Sequence, residues 1–148
     1  MRWLMMLLTT AGLLLTAACN NATPPTAPNA VPVDPSVPRP VGMGVSGRFV
    51  GVGHQGSGTV RFTAENGVGK LDFSDDFVVS GVPGPFVYVN TTNNANTGRP
   101  LRIAALKSNR GAQSYTFQLV AGVSYRWVLV WCDPFNVPVA EAEVPPTP

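Results

Sequence analysis

The chain has 148 residues, 45% apolar and only 12% charged, and ten Lys and Arg against eight Asp and Glu give a formal net charge of +2. That length fits one domain and is too short for a TIM barrel or a full dinucleotide-binding enzyme, while the slight basic excess excludes an electrostatically driven nucleic-acid binder. Two Cys and one His exclude a four-ligand Cys/His zinc site within a single chain.

The first element is a targeting segment. Met1-Arg2 is a basic start, Trp3 to Leu15 is an apolar run broken only by Thr9, Thr10 and Gly12, and Thr16-Ala17-Ala18 leads into Cys19. A basic start, a short apolar run and a small-residue exit describe a secretory signal peptide over residues 1–18. The run is shorter than the roughly 20 residues of a transmembrane helix. The string LLTAAC resembles the bacterial lipobox, with Thr16 where Leu is usual. That resemblance implies that Cys19 becomes the first mature residue and carries several acyl chains, palmitate among them. Such chains suffice for stable membrane attachment. Asn20 follows in place of the Asp of an inner-membrane retention signal, which is consistent with an outer surface.

Residues 19–45 read as a tether. Seven of the 15 prolines lie between Asn20 and Val45, with almost no charge. Each Pro lacks a donor and restrains its predecessor to extended backbone, so the segment is expected to be a semi-rigid spacer. Residues 145–148, Pro-Pro-Thr-Pro, are expected to be a disordered tail. Asn21-Ala22-Thr23 and Asn90-Thr91-Thr92 fit the glycosylation sequon, read here as chance matches. Loss of Arg2 leaves nine basic against eight acidic residues, a domain with little long-range steering.

Residues 46–144 read as short strands. Gly47–Val52, Thr59–Ala64, Lys70–Phe73, Phe77–Val79, Phe86–Val89, Leu101–Leu106, Ser114–Val120 and Tyr125–Cys132 carry alternating or continuous apolar residues. Asn66-Gly67 is a strong hairpin signal. Val137, Val139 and Ala140 form a Pro-interrupted edge candidate. The spacing predicts an all-β domain, an antiparallel sandwich or barrel of about seven to nine short strands. Tyr125–Cys132 is apolar on both faces and is expected to be central. Cys132 ends it, with Pro134 two residues on, a place where a side chain is held and reachable.

Four groups carry candidate chemistry. With Cys19 lipidated, Cys132 has no disulfide partner in the mature chain. An unpaired Cys in an exported protein suggests a reactive thiol, an intermolecular partner or a cofactor ligand, and packing as a small buried hydrophobe is the alternative. A nearby Asp133 charge would work against a reactive thiolate. His54, the sole His, sits in the Gly-rich loop Gly53–Gly58. It is a weaker candidate that could orient a thiol or ligate haem iron, against a plain surface role. Gly51-Val52-Gly53-His54-Gln55-Gly56 matches GxGxxG, but a strand follows where the dinucleotide fingerprint needs a helix. Asp72, Asp75 and Asp76 lack calcium-loop spacing and read as a solvated turn. No metal site is assigned.

The order of several pieces over Ser46–Val144 resembles the DM-thirteen domain, a family labelled electron-transfer. They are Gly47-x-Phe49, His54-x-x-x-Gly58-x-Val60, Leu71-x-Phe73, Phe77, Gly84-Pro85, Leu106-Lys107-x-Asn109-x-Gly111-x-Gln113-x-Tyr115 and Val130-Trp131-Cys132-x-x-Phe135-x-Val137 with Ala140. Phe86 stands where the family tends to have Asp after Gly-Pro, and the loop from Val78 to Pro83 is longer than usual. The resemblance implies a β-rich extracellular domain with a proposed redox role at Cys132, as a bare thiol or as ligand to a group such as haem. The expected protein is a lipoprotein of the cell envelope, held to the membrane through Cys19, that exchanges electrons with an envelope redox partner and not with nucleic acid. The alternative is a non-catalytic binding or structural module.

Overall fold

The computed structural model describes residues 44–146. The signal peptide, Cys19, the tether up to residue 43 and the last two residues lie outside them. Eleven strands follow in order: β1 (Val45–Arg48), β2 (Val50–Gly51), β3 (Gly56–Ser57), β4 (Thr59–Glu65), β5 (Val68–Phe73), β6 (Val78–Val79), β7 (Pro85–Asn90), β8 (Leu101–Ala105), β9 (Gln113–Gln118), β10 (Trp127–Cys132) and β11 (Val137–Glu143). The count exceeds the expected seven to nine because the stretch Gly47–Val52 divides between β1 and the two-residue β2, and because the two-residue β3 was not expected. Pairs that short leave no periodic trace in a sequence.

All pairings are antiparallel. One sheet has the order β1-β4-β5-β9, the second β2-β11-β10-β7-β8, and β3 pairs with β6. The two large sheets share one core, to which Val60, Phe62, Leu71 and Phe73 come from the first and Val87, Val89, Val128, Val130 and Cys132 from the second. This is the sandwich, and the expected alternation drives it. Val60 and Phe62 of β4 point inward, as do Leu71 and Phe73 of β5. Each fully buried large apolar side chain contributes about 1.5–3 kcal/mol. Phe73 is the hub of an aromatic group, with ring centroids 4.9 Å from Phe49, 4.7 Å from Phe77 and 5.4 Å from Tyr115.

Turn chemistry sets the registers. Asn66 and Gly67 both adopt positive φ, at 50° and 78°, and close the β4–β5 hairpin with Glu65 opposite Val68. This is the mirror-image turn that matches strand twist. The stretch read as one strand over Gly47–Val52 breaks at the buried Phe49. β1 stays with β4 while β2 crosses to β11, so the chain changes sheet there.

Two expectations are corrected. The Pro-interrupted segment is not an edge: β11 runs from Val137 to Glu143 and lies between β10 and β2. Pro138 has no partner on the β2 side, where β2 covers only Ala140 and Glu141, although it pairs with Trp131 of β10, and proline is tolerated at such bulged positions. The pairing also slips between Val130 and Trp131, at the level of that proline. In addition, β10 begins at Trp127, not Tyr125, although Tyr125 is buried. Its central place holds: β10 lies between β11 and β7, and its last five residues are buried.

Candidate functional site

Cys132 is the last residue of β10. Side chains alternate along a strand, so it shares the inward face with Val128 and Val130, and all three belong to the core. The thiol is free and 1% exposed. It donates to the Pro83 carbonyl at 3.1 Å. The backbone just before β7 therefore roofs the sulfur. Gly84 holds positive φ at 57°, and a Cβ there would lie 2.9 Å from Pro134 Cγ, so only glycine lets the roof lie against the turn after Cys132. The Asp133 amide closes the seam on the Gly84 carbonyl at 3.3 Å. The expectation that Cys132 is both held and reachable is half corrected: the strand end holds it, and the roof removes it from solvent.

The chain leaves Cys132 through a 3-10 turn, Asp133–Phe135, that ends on Asn136 in the left-handed region at φ 53°. Asn136 also accepts from the Trp131 indole at 3.1 Å. The Asp133 carboxylate is engaged with the opposite face of the sheet. Tyr88 Oη donates to Oδ1 at 2.8 Å, and Arg102 Nε donates to Oδ2 at 2.8 Å. The Arg102 guanidinium lies 3.3 Å above the Phe86 ring. Burial raises the Tyr88 phenol above its ordinary pKa, and the Asp133 hydrogen bond and charge reinforce this against Arg102. Asp133 is thus neutralised by Arg102, where the sequence had placed its charge against the thiol. Tyr88 and Arg102 escaped the sequence reading because they lie 45 and 31 residues from Asp133. Their only trace is that both are polar groups on strands.

His54 lies on the exposed turn between β2 and β3. It makes no hydrogen bond or ion pair among the described residues, and no contact joins it to Cys132. Its loop does touch the roof: the Gln55 amide donates to Ser80 Oγ at 2.9 Å, and the Ser80 amide donates back to the Gln55 carbonyl at 3.0 Å. The GxGxxG string therefore joins β2 to β3, strand to strand. The acidic cluster is spent locally. Asp72 pairs with Lys70 at 2.8 Å and accepts from Ser114, and Asp76 accepts from Ser74. Burial alone would raise Asp72, but the Lys70 and Ser114 hydrogen bonds outweigh it and lower its pKa. Among the described residues no three His, Cys, Asp or Glu groups converge as metal ligands.

The family model for Electron transfer DM13 matches residues 48–144, well over half of the chain. The chain belongs to that family. No curated protein and no solved structure matches it.

Most of the quoted DM13 pieces turn out to be scaffolding. Gly58, at φ 99°, passes so close to Phe77 that a Cβ would lie 2.5 Å from its Cα. The Asn109 carbonyl accepts from the Val79 amide at 2.8 Å, and the Gly111 amide donates to the Phe77 carbonyl at 2.8 Å. Buried Gln113 binds both the amide and the carbonyl of Ser108 and accepts from Tyr115 Oη at 2.7 Å. These bonds pin the 106–112 connection over β6. Three residues of the DM13 pattern lack such a role: the exposed His54, Cys132, whose one polar contact is a carbonyl, and Phe135, which is 66% exposed on the turn after Cys132.

Haem does not fit at Cys132. A thiolate ligand needs an open slot on its sulfur, and this sulfur is packed in the core under Pro83. A cleft of about 290 Å³, lined by Gly98, Arg99, Pro100, Val120, Val123 and Tyr125, contains neither Cys nor His.

Proposed function

We propose that this chain is an exported lipoprotein, anchored through acylated Cys19, whose DM13 domain takes part in electron transfer with Cys132 as its centre. The observation that carries the reading is the free thiol at the end of the central strand, inside a family-wide match to Electron transfer DM13. Burial speaks against thiol–disulfide exchange, which needs a thiolate in contact with its target. Electron exchange needs no such contact, because electrons cross a few ångströms of protein; in this reading the thiol proton, held on the Pro83 carbonyl, leaves to water when the backbone over the sulfur opens. The partner in this reading is a redox protein of the cell envelope.

The carbonyl of Glu143 lies against Gly47, so β1 and the end of β11 share one pole of the sandwich. Cys132 pairs with Val137 at the other end of β11, about 20 Å away at roughly 3.3 Å per residue.

The test has two arms on the full-length protein. Cys19→Ala is expected to move the protein from the membrane to the soluble fraction. A potentiometric titration is expected to show a redox transition that Cys132→Ser abolishes. A wild-type chain with no transition sinks the redox arm. A second reading, a non-catalytic envelope module, is favoured by one observation: Cys132 packs as a core residue. It predicts that Cys132→Ser leaves phenotype and redox behaviour unchanged.

A further inference from the structure

We propose that Tyr88 is a proton-coupled one-electron redox residue of this domain, with Asp133 as its proton acceptor. The proposal rests on the electron-transfer reading and adds a second redox group to it, on the opposite face of the sheet from Cys132.

The selection among tyrosines is geometric. The chain has three. Tyr115 Oη donates to the neutral amide of Gln113 and accepts from the Lys107 amide at 3.0 Å. Tyr125 is 1% exposed and makes no hydrogen bond to a carboxylate among the described residues. Both are buried in the core. Tyr88 alone of these donates to a carboxylate, Asp133 Oδ1 at 2.8 Å, and it is only half-buried. Arg102 grips the second oxygen at 2.8 Å and is itself fixed on the Phe86 ring. The acceptor is therefore held by its second oxygen, and the phenolic proton has a short path of 2.8 Å between donor and acceptor oxygens. Cys132 has no such base, because its thiol faces a peptide carbonyl. A carbonyl accepts a hydrogen bond but not the proton.

The step balances as follows. The Tyr88 O–H bond breaks, the proton passes to Asp133 Oδ1, and one electron leaves the ring for a strong one-electron oxidant of the high-potential metal-centre class. The products are a neutral phenoxyl radical and a carboxylic acid still bound by Arg102. Return of one electron from a reductant sends the proton back to Tyr88. Asp133 is one peptide bond from Cys132, so the pair joins the inner thiol to the outer face by a short bonded path.

The experiment oxidises the full-length chain with photogenerated tris(bipyridine)ruthenium(III) and reads the radical by electron paramagnetic resonance. Ring-deuterated tyrosine identifies the radical as tyrosyl. The signal is expected in the wild type, retained in Tyr115→Phe and Tyr125→Phe, and lost in Tyr88→Phe. Asp133→Asn is expected to slow its formation roughly a hundredfold, the scale of a positioned proton acceptor, and Asp133→Glu to recover most of the rate. Wild-type formation should slow in heavy water, which tests the proton step without a substitution. A tryptophanyl signal, a signal that survives Tyr88→Phe, or no change in heavy water overturns the proposal. Cys132→Ser separates the two ideas. A Tyr88 radical that persists there supports this proposal even if Cys132 shows no redox transition, whereas its disappearance places the oxidised site at sulfur and overturns it.

Discussion

At Cys132 two demands meet in one side chain. The β10 alternation turns the sulfur inward, and the Pro83 carbonyl gives the thiol its hydrogen bond. A reagent reaches it only when the roof over Ser80–Gly84 lifts or the domain unfolds. We expect an aromatic disulfide reagent to label Cys132 at the rate of unfolding across a denaturant series. Fast labelling without denaturant would show a roof that opens in the native state. Cys132→Ser should cost roughly 1–2 kcal/mol, because a hydroxyl is more expensive to bury than a thiol even with one acceptor available. The residue was legible in sequence as an unpaired Cys on a strong strand. Its inaccessibility was not, because the roof is supplied by Pro83, 49 residues earlier.

The same logic applies to the connection between β7 and β8. Its residues, TTNNANTGRP, read simply as a polar loop, and ten residues without regular structure usually require an organising contact. Asn90, 0% exposed, provides it. Its Nδ2 donates to Asn94 O at 2.7 Å and Thr97 O at 2.9 Å, while its Oδ1 accepts from Thr91 N at 2.8 Å and Arg99 N at 2.9 Å. Gly98 is required at φ 71°, where a Cβ would lie 2.5 Å from Thr91 Oγ1. The Asn90 amide is therefore consumed by structure and is not exposed for modification in the folded domain. Asn90→Ala should cost about 2–4 kcal/mol in urea unfolding, since it strands several buried groups. A cost under about 0.5 kcal/mol, the level of an ordinary surface change, would mean that water replaces those bonds. The strands on either side were legible from alternation, and β6 from Phe77–Val79, whereas β3 was not. Gly56-Ser57 pairs with Val78-Val79 only because the 106–112 connection pins β6 in place.

For the whole domain, burial raises all three tyrosines above their ordinary pKa. A raised phenol in the folded state means that the unfolded chain releases its proton first. The stability this represents is complete below about pH 10 and is lost as pH rises through the raised values. Thermal unfolding should thus move to lower temperature from about pH 10 upward. Phenolate absorbance should titrate at higher pH in the native chain than in urea. Coincident titration curves in the two states would contradict the burial of these rings. Acid has a smaller lever: Asp72 is lowered, but its ion pair with Lys70 is largely exposed, so it contributes little.

Local chemistry was enough for the all-β class, the Asn66-Gly67 hairpin, the central strand and the family, because each rests on residue periodicity, turn dihedrals or a motif order written along the chain. Tertiary structure alone decided that Cys132 is sealed, that His54 stays apart from it, that Asp133 serves Tyr88 and Arg102, and that β11 is interior. Those outcomes depend on which distant strands become neighbours. Strand neighbours are chosen by packing across a shared core, a property of the closed sandwich that no window of consecutive residues contains.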